Sequence, residues 1–184
     1  MIEYKLGSCV EVLKKMKDDS VDFSFTSPPH YPNNNWFEMN VNVINELLRV
    51  TKNHIIYNIQ TNDYNRADVY KMIGLFSEKI IDIHIWEKSN TMPAGGEAIT
   101  NAVEYFIVLG NKSLKSNETY TKNIITTAAY SSMHRKHKAV LRYEVAEHFI
   151  KNFTKENETI LDCFVGNGTT AIACANLNRN CIGI

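Results

Sequence analysis

The segment 159–184 constrains the fold more than any other part of this sequence. Residues 159–162 have the composition of a buried strand, and glycines at positions 166 and 168 predict a tight turn directly after it. Residues 169–177 then follow a helical pattern, and residues 180–184 predict a further strand. Strand, turn, helix and strand in this order are typical of a parallel α/β unit, so the sequence predicts an α/β protein.

The same alternation continues through the rest of the chain. A capping-box pattern at Ser8 and Glu11 predicts the start of a first helix. Further strands are predicted at 21–26 and 54–59, further helices at 36–50, 63–76 and 142–153, and an antiparallel pair of edge strands at 79–86 and 103–109. We therefore expect one domain, residues 1–184, built on a single doubly wound, mostly parallel sheet with an antiparallel edge pair. The polar stretch 110–133 is interpreted as a surface excursion from this domain.

The bulk composition limits the classes of function. Lys and Arg together number 20, and so do Asp and Glu, so the chain has no overall positive charge to attract nucleic acid. This balance is compatible with an enzyme that has one local basic wall. The four cysteines, at positions 9, 163, 174 and 181, form neither a C-x-x-C pair nor a metal-ligand spacing. Free thiols, no metal ion, no leader peptide and no membrane-spanning run are therefore expected, and with them a cytoplasmic location.

The turn at 162–170 has the features of a small-molecule site. Gly166 and Gly168 allow the backbone to approach a ligand closely, and the following helix begins with N–H groups that have no partner within the helix. Asp162, directly before the turn, can hold a cation or a hydroxyl. These features suit a small, partly zwitterionic ligand that carries a ribose.

Three other interpretations compete for this turn. A P-loop would need a lysine directly after Gly168, where the sequence has Thr169. A dinucleotide site would use Gly166, Gly168 and Ala171, a weak match that also requires an acidic residue about twenty positions further on. An ordinary turn between a strand and a helix is the third.

A second unusual loop, Ser27-Pro28-Pro29-His30-Tyr31-Pro32, follows the predicted strand at 21–26. Consecutive prolines can neither pair in a sheet nor start a helix cleanly, so they form a stiff loop with outward carbonyls. With the Ser27 hydroxyl and the rings of His30 and Tyr31, such a loop can accept both hydrogens of an NH2 group and stack on the ring that bears it. A rigid exposed turn is the alternative.

Four segments together resemble the DNA amino-methyltransferases, the adenine-N6 and cytosine-N4 family. Residues 26–31, TSPPHY, resemble the catalytic motif (D/N/S)-P-P-(Y/F/W), and residues 162–170, DCFVGNGTT, resemble the cofactor motif D-P-F-x-G-x-G-T-T. Residues 6–16 and 137–150 resemble the segments that precede the catalytic strand and the cofactor strand. The catalytic motif comes first, which is the permuted order of the β group. The resemblance implies a Rossmann-like methyltransferase fold with S-adenosylmethionine as cofactor.

The resemblance also implies a role for each matched residue. The Ser27 side chain and the Pro28 carbonyl would accept hydrogen bonds from the amino group of the target base. The catalytic residues implied are Ser27, Pro28, Pro29, His30 and Tyr31, of which His30 or Tyr31 would stack on the base. The cofactor-binding residues implied are Ser8, Cys9, Asp162, Phe164, Gly166, Asn167, Gly168, Thr169 and Thr170. The partner that the resemblance implies is DNA, either a duplex from which the base is flipped or a single strand.

The sequence departs from the family pattern at four places. His30 stands at a usual aromatic position, Ser8 at a usual aspartate and Cys163 at a usual proline, and the chain ends at Ile184, where an acidic residue for the ribose normally follows. Within the family, a serine in the first position of the catalytic motif favours cytosine over adenine. Ser27 therefore predicts a cytosine target.

Residues 111–138 are the candidate target-recognition region. Arg135, Lys136 and Lys138 within it are expected to contact DNA phosphates, with a solvated charged turn as the alternative. His134 and His137 nearby lack further ligands for a zinc site.

The leading hypothesis is an active DNA methyltransferase, stand-alone or part of a restriction-modification system. A non-catalytic methyltransferase-fold subunit of a larger complex is the second, favoured by the short recognition region. A nicotinamide oxidoreductase is the third, and it leaves the Pro-Pro loop unexplained. Related permuted enzymes often form dimers, and by this analogy alone a homodimer and a partner subunit are the two options left open.

Overall fold

A computed structural model describes residues 1–29, 35–91, 101–118, 121–129 and 141–184. The strands in these ranges are β1 (Ile2–Tyr4), β2 (Val21–Thr26), β3 (Thr51–Ile59), β4 (Ile80–Lys88), β5 (Val103–Gly110), β6 (Ile124–Thr127), β7 (Thr159–Asp162) and β8 (Asn180–Gly183). The helices are α1 (Cys9–Lys15), α2 (Trp36–Val50), α3 (Arg66–Leu75), α4 (Tyr143–Phe153) and α5 (Thr169–Asn176). No helix of this described part is long and apolar enough to cross a membrane.

These strands form one sheet in the order β1-β8-β7-β2-β3-β5-β4-β6. Among the described strands, β5 alone runs antiparallel to its neighbours, β3 and β4, and the other pairings are parallel. The predicted fold class, a mostly parallel sheet with an antiparallel pair, is confirmed. The pair lies one strand in from the edge, because β6 pairs with the outer side of β4.

The stretch 110–133, expected to be a surface excursion, contributes β6 to the edge of the sheet. Ile125 is the one buried residue of this strand. Thr126 donates a hydrogen bond to Glu87, and Thr127 accepts one from Trp86 of β4. A strand this short, with one buried position, has no alternating pattern to detect, so its pairing with β4 determines it.

Helices cover both faces of the sheet. The first cluster of buried side chains joins α1, α2 and α3 to one face and includes Leu47 of α2 with Ile55 and Tyr57 of β3. The second cluster joins α4 and α5 to the other face and includes Phe149 of α4 with Ile56 of β3. Successive residues of β3 therefore point to opposite faces. Because each buried large apolar side chain contributes about 1.5–3 kcal/mol, both faces carry a substantial part of the stability.

The N-terminal end of α1 follows the predicted capping pattern only in part. Ser8 occupies the N-cap position in an extended conformation, and its carbonyl accepts the N–H of Val12 at 3.0 Å. Its side chain accepts no capping hydrogen bond. The backbone therefore starts the helix without the reciprocal side-chain contacts of a capping box.

The chain connections reverse direction between β2 and β7 at the centre of the sheet. Strand β2 continues through α2 to β3 on one side, whereas β7 continues through α5 to β8 on the other. A crevice forms outside the carboxyl ends of strands at such a point, and this is where open α/β sheets bind ligands. The fold therefore places a candidate site beyond Thr26 and Asp162.

Candidate active site

A cavity of about 460 Å³ lies at the carboxyl ends of β2, β7 and β8. Its walls come from the segment before α1, the Pro-Pro loop, the glycine turn and the end of the chain. The lining residues are Gly7, Cys9, Ser27, Pro28, Pro29, Cys163, Phe164, Val165, Gly166 and Ile184. The two motifs identified in the sequence thus share one cavity, whose size is typical of small-molecule sites.

Hydrogen bonds at both ends hold the Pro-Pro loop in place. The Ser27 hydroxyl donates to Oδ1 of Asn58 at 2.8 Å, and the carbonyl of Pro29 accepts from the indole Nε1 of Trp36 at 2.7 Å. Asn58 lies on β3 and is fully buried, and Trp36 is the first residue of α2. The loop is therefore fixed against two elements that the core itself holds in position.

Asp162 joins the ends of β2 and β7 below the cavity. Its carboxylate accepts hydrogen bonds from the Thr26 hydroxyl at 2.8 Å, from the Phe164 N–H at 3.1 Å, and from the Thr170 side chain. Burial raises the pKa of the Asp162 carboxyl, since only 4% of the residue is exposed, and the three hydrogen bonds oppose this effect. The carboxylate thus ties together residues that are 136 positions apart.

The glycine turn depends on two left-handed residues. Gly166 has φ +49° and Gly168 has φ +78°, a region that favours glycine. The Gly168 N–H donates to the Val165 carbonyl at 2.7 Å, and Gly168 is the N-cap of α5. The first N–H groups of α5 therefore lie next to the wall formed by Val165 and Gly166.

Two thiols, Cys9 and Cys163, line the cavity. Burial raises the pKa of Cys9, and it raises the pKa of Cys163 well above its usual range. Both side chains are therefore neutral near pH 7, and they act as small apolar wall residues. This environment does not provide a thiolate nucleophile.

The structure brings together only part of the predicted site. Of the predicted cofactor residues, Cys9, Phe164 and Gly166 line the cavity. Ser8 is exposed beside it, and Asp162 lies beneath it. Asn167, Gly168, Thr169 and Thr170 form the turn and the first turn of α5 without lining the cavity. Of the predicted catalytic residues, Ser27, Pro28 and Pro29 line it, whereas His30 and Tyr31 lie outside the described residues. The predicted DNA-contacting residues Arg135, Lys136 and Lys138 also lie outside them.

Several cavity residues were not predicted. Gly7, Cys163 and Val165 are direct neighbours of predicted positions. Only the path of the backbone through each loop was needed to place them in the cavity wall. Ile184 follows β8, and its N–H donates to the Asp162 carbonyl at 2.9 Å. The parallel pairing of the last two strands was the signal that could have placed it.

The cavity suits S-adenosylmethionine. Cys9, Phe164, Val165 and Ile184 supply apolar walls, and Gly166 supplies backbone that a ligand can approach closely. A glycine turn after a central strand, facing a Pro-Pro loop across one cavity in this fold, defines the class of S-adenosylmethionine-dependent methyltransferases.

Comparisons with known proteins identify the family. A family model described as DNA methylase, covering the N6 and N4 enzymes, matches residues 21–184, so the chain belongs to the N6/N4 DNA methylase family, whose cofactor is S-adenosylmethionine. The type II methyltransferase M2.MboI of Moraxella bovis is 23% identical over 97% of this chain and 80% of its own length.

Solved structures share this fold. PvuII DNA methyltransferase, named as cytosine-N4-specific, superposes with a TM-score of 0.81 at 15% identity, over 99% of this chain and 80% of that one. A structure of M1.HpyAVI in complex with SAM gives a TM-score of 0.74 at 25% identity, over 100% of this chain and 92% of that one. The predicted fold, family and cofactor are thus confirmed.

Proposed function

We propose that this member of the family methylates the N4 amino group of a cytosine that is held outside the DNA helix. The cavity supports the proposal, because Ser27, Pro28 and Pro29 line it together with Phe164 and Gly166. The preference for cytosine over adenine rests on Ser27 in the first position of the catalytic motif.

The loop makes a poor nucleophile reactive. The lone pair of an exocyclic amino group is delocalised into the base, so the nitrogen attacks weakly. The Ser27 hydroxyl oxygen and the Pro28 carbonyl accept the two amino hydrogens, which localises the lone pair and aims it into the cavity. When bound, S-adenosylmethionine supplies a methyl group on positively charged sulfur.

The transfer is a direct displacement. The amino nitrogen uses its lone pair to form the N–C bond, the electron pair of the C–S bond leaves with sulfur, and the methylated nitrogen then loses one proton to water. No covalent enzyme intermediate forms, in keeping with the raised pKa of the Cys9 and Cys163 thiols.

DNA contacts beyond the cavity belong to the same proposal. An amino group that is paired and stacked inside a duplex cannot reach a cavity at the ends of the strands, so the target base leaves the helix. His30 or Tyr31 stacks on it. The region 111–138 serves target recognition, with Arg135, Lys136 and Lys138 at the phosphates, so affinity for DNA falls as salt increases.

Methyl transfer from labelled S-adenosylmethionine to mixed-sequence DNA, followed by nucleoside analysis, tests the proposal. We expect labelled 4-methylcytosine. Labelled 6-methyladenine would keep the reaction class and correct the base. Absence of label from DNA of every sequence, with cofactor binding intact, would contradict the proposed function.

Replacing Ser27 tests the amino-group clamp. We expect Ser27→Ala to bind S-adenosylmethionine as the wild type does and to lose about 100-fold in kcat, because one acceptor at the reacting nitrogen is gone. Calorimetric titration and single-turnover kinetics measure the two effects. Ser24→Ala is the matched control, because the Ser24 hydroxyl is buried on β2 and bonds Thr51 at 2.7 Å, away from the cavity. Full turnover by Ser27→Ala would contradict the clamp.

A further inference from the structure

The Ser27 hydroxyl makes a hydrogen bond in which the chemistry of the partner determines which atom is the donor. Its partner is Asn58, a fully buried side chain near the carboxyl end of β3, at an Oγ to Oδ1 distance of 2.8 Å. The amide nitrogen of Asn58 lies 3.3 Å from the backbone carbonyl of Tyr105 on β5. Asn58, which lies on β3, thus connects the Pro-Pro loop to β5.

The carbonyl of Tyr105 fixes the orientation of the Asn58 amide. A backbone carbonyl can only accept hydrogen bonds, so the NH2 end of Asn58 must face Tyr105. The amide oxygen must then face Ser27. An amide oxygen also only accepts, and the Ser27 hydroxyl is therefore the donor.

We infer that Asn58 is a positioning residue that makes Ser27 a pure hydrogen-bond acceptor toward the target amino group. A serine hydroxyl has one proton and two lone pairs. With the proton committed to Asn58, the side of the oxygen that faces the cavity carries lone pairs only. This inference rests on the proposed function of Ser27 as an acceptor for the amino group.

The competing hydroxyl orientation would oppose the reaction. A freely rotating hydroxyl can direct its proton at the amino group. That proton is then either repelled by the amino hydrogens or donated in a hydrogen bond to the nitrogen lone pair that must attack. Asn58 removes this orientation before the base arrives, so no reorganisation is needed in the transition state. Asn58 does not touch the reacting atoms, and it acts through Ser27.

The hydroxyl of the neighbouring residue, Thr26, also donates its proton to a buried acceptor. Thr26 donates its proton to the Asp162 carboxylate at 2.8 Å, whereas Ser27 donates to Asn58. Both hydroxyl protons at the end of β2 are thus directed into the fold. The Ser27 oxygen differs in that its residue lines the cavity, whereas Thr26 is buried.

Kinetics of Asn58 variants of the full chain test the inference. We expect Asn58→Ala to lower kcat for DNA methylation by roughly 10- to 100-fold, because the acceptor geometry is lost, with the Kd for S-adenosylmethionine unchanged. In Asn58→Asp, burial favours the neutral carboxyl, whose O–H can donate to the Tyr105 carbonyl while its other oxygen accepts from Ser27, so this variant should recover a large part of kcat. Asn65→Ala is the matched control. Asn65 is equally buried, bonds the Asn62 N–H and the Gln60 carbonyl within its own turn, and should leave kcat unchanged.

A double-mutant cycle separates positioning from a structural role. In a Ser27→Ala background, Asn58→Ala should cause no further loss of kcat, because the hydroxyl that it orients is absent. An equal loss in both backgrounds, or unchanged kcat in the single variant, would overturn the inference. If the wild type fails to methylate DNA, the proposed function fails instead, so the two failures are distinguishable. Should Asn58→Ala not fold, Asn58→Leu, which has nearly the same shape and offers no acceptor to Ser27, replaces it in both backgrounds and decides in the same way.

Discussion

At the scale of single residues, the site depends on buried polar groups that act from beneath the cavity. Asp162 is the clearest case, since its carboxylate holds Thr26, Phe164 and Thr170 together while lying outside the cavity wall. A buried donor that loses its partner costs about 1–3 kcal/mol. The wall at Phe164 and the end of β2 therefore depend on this one side chain.

We predict that Asp162→Ala abolishes binding of S-adenosylmethionine. The substitution leaves the Thr26 hydroxyl and the Phe164 N–H without their acceptor, so the turn that begins at Phe164 loses its anchor. Calorimetric titration measures the affinity. Asp22→Ala is a matched control, because Asp22 accepts the Thr159 N–H at 2.9 Å and joins the same two strands at their other end. Unchanged affinity in Asp162→Ala would remove this role.

At the scale of elements, the sequence predicted structures whose pattern is local. Helix α2 has the predicted bounds, Trp36–Val50, because its apolar positions repeat with helical period over four turns. By contrast, β1 and β6 were missed, since β1 has three residues and β6 buries only Ile125.

Within the candidate site, too, the sequence predicted the residues that have a strong local pattern and missed a residue that has none. Ser27 and Gly166 were predicted because loops with prolines or glycines have strong local signals. Asn58 was not predicted, because the importance of an asparagine in a strand arises from a hydrogen bond across 31 positions, and nothing adjacent to it in the sequence indicates that partner. Contacts of this kind follow from the sheet order.

Arg49 is the principal polar link between α1 and α2. Its guanidinium donates to the carbonyls of Leu13 and Met16, each at 2.8 Å, and pairs with Asp18 and Glu46. It thereby adds a side-chain donor to the Leu13 carbonyl, which already accepts the Met16 N–H at 2.9 Å, and supplies a donor to the carbonyl of Met16 at the C-cap of α1. Because α1 begins at Cys9, this contact also positions one wall of the cavity.

We predict that Arg49→Ala lowers the free energy of unfolding by about 2 kcal/mol, a value reduced for the partial exposure of the side chain. Arg49→Lys should recover only part of this, because one ammonium group cannot reach two carbonyls and two carboxylates together. Urea unfolding measures both. Arg66→Ala, which removes a more exposed pair 3.6 Å from Asp63, is the control with little expected effect. Equal stability of Arg49→Ala and the Arg66→Ala control would contradict the prediction.

At the scale of the whole molecule, two histidines on one face of the sheet make stability depend on pH. His84 of β4 and His148 of α4 pack against Phe149 with ring-centroid distances of 5.6 Å and 5.4 Å. Burial lowers the pKa of both histidines, and for His84 the nearby Asp82 carboxylate opposes the effect. Nδ1 of His84 and Nε2 of His148 have no hydrogen-bond partner within the described residues. Neither ring is therefore well placed to carry a charge in the folded state.

The lowered pKa values set the sign of the pH dependence. An unfolded histidine binds a proton near pH 6.5, whereas these two remain neutral in the folded protein to lower pH. Acidification below about pH 6.5 therefore stabilises the unfolded chain, by up to roughly 1.4 kcal/mol per pH unit for each histidine. This loss continues until the folded pKa is reached. Asp162, whose pKa is raised, contributes in the opposite sense, so the test must compare variants that retain it.

We predict that the thermal midpoint of the wild type falls between pH 7 and pH 5, and that His84→Gln and His148→Gln each flatten this fall. Glutamine keeps a polar side chain without a titrating group, so whatever stability it costs is the same at every pH. The measured quantity is thus the slope of the midpoint against pH, and a general loss of packing in the variant shifts the curve without changing its slope. Curves for wild type and both variants that run parallel across this range would show that neither histidine is the source of the fall.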